Sequence, residues 1–104
     1  MTTSVNLVFD KIVKTIESLN SAEQLDSTKK YIDNFLMLYQ GMYNYYMINE
    51  FNKQIRKRFE NLASQGVCVV NNNFVDGVCS SIMFKYQMLH AANMSGHRVH
   101  PTII

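Results

Sequence analysis

Metal ligation and nucleophilic catalysis call on few side-chain types, and this chain of 104 residues holds few of them: Cys68, Cys79, His90, His97 and His100. A structural zinc site recruits cysteines in pairs spaced about two to four residues apart, so that a short loop brings both thiolates to one tetrahedral ion. Ten residues separate Cys68 from Cys79, and no other pairing has the required spacing. His97 and His100 stand beside Pro101 as a loop pair. Cys79 and His90 share a helical stripe with Met83 and Tyr86, but three turns set them roughly 16 Å apart, too far for proton transfer along one helix. After Glu60 the only acid is Asp76, so a carboxylate to orient a histidine base is scarce. There is no Gly-rich phosphate loop, P-loop or H-E-x-x-H pattern. The expectation is a non-enzymatic protein with no catalytic, metal-binding or cofactor-binding set and no small-molecule substrate.

Two other clusters could carry binding. Lys53, Arg56, Lys57 and Arg58 fall within six residues, just after Tyr43, Tyr45 and Tyr46. Cations release counterions from phosphate, and aromatic rings stack bases, so these four are the candidate phosphate contacts of a nucleic-acid-associated protein. Glu50 and Glu60 flank the cluster, and an Arg56–Glu60 pair at i,i+4 fits an ordinary wet helix face. A net charge of +2 is also a weak basic field. The second cluster is the tyrosine- and methionine-rich run from Phe35 to Met47. Tyr and Met combine apolar area with a polar tip or a pliable chain and are enriched in interface centres. Tyr39, Met42, Tyr43, Tyr45 and Tyr46, with Met83, Met88 and Met94, are the candidate interface residues.

The elements that position these residues are helices. Ser4 or Asn6 can cap a first helix over about 5–19, with Val5, Val8, Phe9, Ile12, Val13, Ile16 and Leu19 on one face. Ser21-Ala22-Glu23-Gln24 reads as a capping box opening a second helix over 21–40, carrying Leu25, Ile32, Phe35, Leu36 and Tyr39. Past Met47 the apolar set becomes Ile48, Phe51, Ile55, Phe59 and Leu62, rotated round the cylinder from the Ile32/Leu36/Tyr39/Tyr43/Tyr46/Met47 stripe. A break near Gly41 to Asn49 explains this rotation, giving a third helix over 42–64 closed by Gly66. A single long helix is the alternative. Val67 to Val70 is β-prone, and the Asn71–Asn73 turn lets Asn73 cap a last helix over 74–94 with Val75, Val78, Cys79, Ile82, Met83, Tyr86 and Leu89 inward. Asp76-Gly77 between apolar flanks competes as a hairpin turn. The fold expected is all-α: a bundle of three to four helices in a single domain 1–104, with an extended or turn segment near 67–73 and an irregular tail over 97–104.

Composition bounds the rest. At 47% hydrophobic and 17% charged, the chain is too apolar to be disordered and poorer in charge than most soluble domains. The opening residues lack a basic and apolar leader, and no stretch reaches the roughly 20 apolar residues of a membrane span. Two cysteines among apolar neighbours suit reduced thiols and an intracellular setting. Residues 61–104 hold only Asp76, Lys85 and Arg98 as charges. A small domain leaves much of its surface in water, so this charge-poor C-terminal half points to an apolar patch and a protein partner or self-association. The function expected is an assembly subunit, with a virion or phage particle as one setting and the nucleic-acid reading as the alternative.

Overall fold

The computed structural model describes residues 5–66 and 70–96. Four α-helices account for most of them: α1 (Val5–Glu17), α2 (Ala22–Leu38), α3 (Tyr45–Ser64) and α4 (Asn72–Met94), with no strand among the described residues. The all-α bundle expected from the sequence is the fold observed. The hairpin alternative at Asp76-Gly77 is excluded, since both lie inside α4.

Local chemistry sets the boundaries. The Ser21 hydroxyl accepts from the Gln24 amide at 3.2 Å, while the Gln24 side chain accepts from the Asn20 amide at 2.7 Å. The capping box thus forms, with its return bond one residue earlier than the pattern prescribes. The chain breaks at Gly41, whose φ of +80° favours glycine, and the Asn44 side chain caps α3 by accepting from the Met47 amide at 3.0 Å. The third helix therefore starts at Tyr45 rather than 42, and Tyr46 does not join one stripe with Met47: Tyr46 is exposed and Met47 buried. Gly66, φ +70°, follows α3 as expected. The cap of α4 is Asn71, not Asn73, because its side chain accepts from the Asn73 amide at 2.7 Å. That choice pulls Asn72 and Asn73 into the helix and shortens the expected extended segment. Val67 to Val69, the 97–104 tail, Cys68, His97 and His100 lie outside the described residues.

Packing follows the apolar stripes. Ile12, Ile16 and Leu19, then Leu25, Ile32, Phe35 and Leu36, then Ile48, Phe51, Ile55, Phe59 and Leu62, then Val75, Val78, Cys79, Ile82 and Leu89 form the core. α1 packs on α2 and α3, and α4 on the same two helices, so the ring order is α1–α2–α4–α3. Directions follow from named contacts. Phe9 meets Phe51 and Arg58 meets Leu19, so α1 and α3 run parallel. Gln40 meets Asn93 near both C-termini, so α2 and α4 also run parallel. Asn52 meets Cys79 and Tyr45 faces Tyr86, so α3 and α4 are antiparallel. Neighbours in sequence are neighbours in space at α1–α2 and α3–α4, whereas the 39–44 loop crosses the diagonal. Tyr43 fills that crossing: its ring lies 5.5 Å from Phe35 and 6.0 Å from Tyr86, and its hydroxyl donates to the Leu36 carbonyl at 2.8 Å.

Candidate functional site

The basic cluster comes apart in three dimensions. Arg58 donates to the Leu19 carbonyl at 2.7 Å and to the Asn20 side-chain oxygen at 2.9 Å, closing the C-terminal end of α1. Arg56 pairs with Asp76 of α4, not with Glu60, because the antiparallel α3–α4 packing brings Asp76 to its side. Lys53 and Lys57 remain exposed on α3. Two of the four candidate phosphate contacts are thus occupied by the fold, and sequence spacing alone could not show it: both partners lie at least 20 residues away.

Cys79 and His90 are not brought together. The Cys79 thiol is buried against α3, donating to the Asn52 carbonyl at 3.8 Å, while the Asn52 side-chain amide donates to the Cys79 carbonyl at 3.1 Å. Burial pushes this thiol's pKa up, with Asp76 adding to the rise and Arg56 opposing it. A raised pKa disfavours the thiolate that nucleophilic or ligand chemistry needs. His90 sits three turns along α4 from Cys79, stacked on Tyr86 at 5.7 Å and exposed. Among the described residues no three of His, Cys, Asp and Glu gather into a metal-binding group. The two larger of the grooves that flank α4 are one of about 530 Å³ against α2, lined by Lys29, Asp33, Met37, Phe84, Lys85 and Met88, and one of about 490 Å³ against α3, lined by Asn52, Lys53, Arg56, Cys79, Ser80 and Met83. Neither joins a nucleophile to a histidine base.

What the fold does bring together is uncharged surface. Residues 5–9, 34–49 and 86–96 contain no Asp, Glu, Lys or Arg. The helix directions put all three at one end of the bundle: the N-termini of α1 and α3, the C-termini of α2 and α4, and the crossing loop. Seven of the ten large hydrophobic side chains that the described residues expose lie in these stretches: Leu7, Leu38, Met42, Tyr45, Tyr46, Met88 and Met94. Tyr46 is 68% exposed and Met94 76%. Beneath them runs a ladder of rings, Phe9–Phe51–Phe35–Tyr43–Tyr86, ending at Tyr45 and His90.

Compared with protein-family models, with curated proteins and with solved structures, the chain matches none of them.

The candidate interface residues divide accordingly. Met42, Tyr45, Tyr46 and Met94 stand exposed at the neutral end, and Met88 on the outer side of α4. Tyr39, Tyr43 and Met83 are half-buried and pack on the protein's own core. Leu7 and Leu38 were not among the sequence candidates, although both belong to the exposed set. Their signal was the lack of charge around them, and it becomes visible as a surface only when helix directions are known.

Proposed function

We propose that the protein is a non-enzymatic interaction subunit that docks into an oligomer or a larger protein assembly through its uncharged, tyrosine- and methionine-rich end. One observation carries the reading: three uncharged stretches, far apart in sequence, meet at one end of the bundle and expose seven large apolar side chains, all but Met88 at that end. Contiguous apolar surface of this kind marks interaction sites, and its Tyr and Met content is that of interface centres. The docking surface is thus an end of the molecule rather than its C-terminal half, because α4 spends much of its length wedged between α2 and α3. Nucleic acid is the poorer fit, with Arg56 and Arg58 held by Asp76 and by the end of α1.

Native mass and apolar-dye binding of the full chain test this. Self-association, or a monomer that binds dye at this end, agrees with the reading. Tyr45→Glu should weaken whichever is seen while circular dichroism stays unchanged, since Tyr45 is 56% exposed in the first turn of α3. A monodisperse 12.1 kDa species that binds no dye overturns the reading.

A further inference from the structure

The docking partner can be narrowed from the chemistry of the end itself. Resting on the docking reading above, we infer that the neutral end pairs with a second copy of itself, end to end about a two-fold axis.

In such a pairing one patch meets the same patch, so a residue near the axis faces its own kind. A lysine or aspartate there would meet its own sign. None is present among the described residues of this end: the nearest charged residues in sequence, Asp10, Asp33, Glu50, Lys85 and Arg98, lie outside all three stretches. The polar groups that remain are self-matching. Asn44, Asn49 and Gln87 are exposed amides, and Tyr45 and Tyr46 carry exposed phenols. Each both donates and accepts, so amide can meet amide and phenol can meet phenol. A polyanion would call for cations, which sit elsewhere on the bundle, and a charged protein partner would leave a complementary sign here.

Area points the same way. The molecule measures 31 × 29 Å across its long axis. An end face of that width offers on the order of 700 Å², close to the roughly 800 Å² that each partner of a standard stable interface buries.

The test uses the full chain, its native mass followed over concentration. Tyr46→Glu and Tyr46→Lys are measured singly and mixed one to one, with circular dichroism confirming that each remains folded. The wild type should be a dimer. Each variant alone should weaken the pair on the order of a hundredfold, by burying like charges against one another. The equimolar mixture should restore much of it, because opposite charges then meet across the axis. Phe74→Glu, at the opposite end of α4, should leave the pair intact.

A dimer indifferent to both Tyr46 variants, or broken by Phe74→Glu instead, overturns the inference. So does failure of the mixture to recover, which would mean that this end meets a different surface. A wild type that stays monomeric and floats with phosphatidylcholine vesicles assigns the end to a lipid surface and likewise overturns the pairing. A monomer that still binds apolar dye overturns the pairing and leaves the docking reading standing. A monomer that binds none overturns both.

Discussion

Arg58 and Lys57 are neighbours in sequence with opposite standing in the fold. Arg58 bonds the link that follows α1 through the Leu19 carbonyl and the Asn20 side chain, whereas Lys57 is exposed. Charge-assisted hydrogen bonds are worth more than neutral ones. Arg58→Ala should therefore cost about 1–2 kcal/mol in urea unfolding, and Lys57→Ala less than about 0.5 kcal/mol. Tyr43 gives a pH handle. Burial, with Tyr86 adding to it, pushes its phenol from 10.0 to about 12. The folded state thus holds this proton more tightly than the unfolded chain. Stability from this group is complete below pH 10 and is lost as pH rises through 12. The urea midpoint should fall over that window and fall less steeply in Tyr43→Phe, with a phenolate absorbance titration identifying the group. Neither role was legible in the sequence. Arg58 reads as one of four cations on a wet helix face, and Tyr43 as one member of an aromatic run, because the partners that define them come from other helices or from the diagonal crossing. Asn52 is a further case: 8% exposed, it ties α3 to α4 through Cys79 while its side-chain oxygen has no hydrogen-bond partner among the described residues. Its polarity reads as surface.

Helix identity was far more legible, since it depends on period and punctuation within a dozen residues. The apolar sets of all four helices appear in the 3.6-residue pattern, and the rotation of the stripe past Met47 announces the break that Gly41 makes. Choices between adjacent asparagines were harder, as Asn71 and Asn73 are equally good caps by type. α4 carries one internal inconsistency, Gly77, which sits in the helix with open space where a side chain would be. Gly77→Ala should stabilise the protein by about 0.5–1 kcal/mol, because glycine loses more backbone freedom on entering a helix than alanine does. Gly41→Ala should do the reverse, costing about 1–2 kcal/mol, since its left-handed backbone strains any Cβ even though the space around it is open. Thermal or urea unfolding of the pair tests whether space or backbone angle decides at each glycine.

For the molecule as a whole, the decisive arrangement is which ends coincide. The sequence shows that its second half is poor in charge, but sequence halves are not surfaces. Two parallel pairs, α1 with α3 and α2 with α4, gather three uncharged stretches that lie far apart along the chain. No short-range pattern encodes this, because helix pairing rests on contacts between distant residues. An interface built on that end should strengthen, or hold steady, as sodium sulfate is raised, whereas binding through Lys53 and Lys57 to phosphate would weaken steeply. Concentration-dependent mass measured across a salt series separates the two. The same parallel pairing gives the uncharged end a direction. Every helix presents a partial positive charge at its N-terminus and a partial negative one at its C-terminus. Alternating antiparallel neighbours would cancel these around the ring. Here both N-termini, of α1 and α3, lie on one side of the end, and both C-termini, of α2 and α4, on the other. A surface whose described residues include no Asp, Glu, Lys or Arg thus carries a backbone dipole lying across it. Turning a second copy over about the line that divides the two sides sets positive edge against negative edge, while turning it about the perpendicular line sets like against like. Backbone polarity alone, with no charged side chain involved, therefore selects one of the two ways in which the ends could meet.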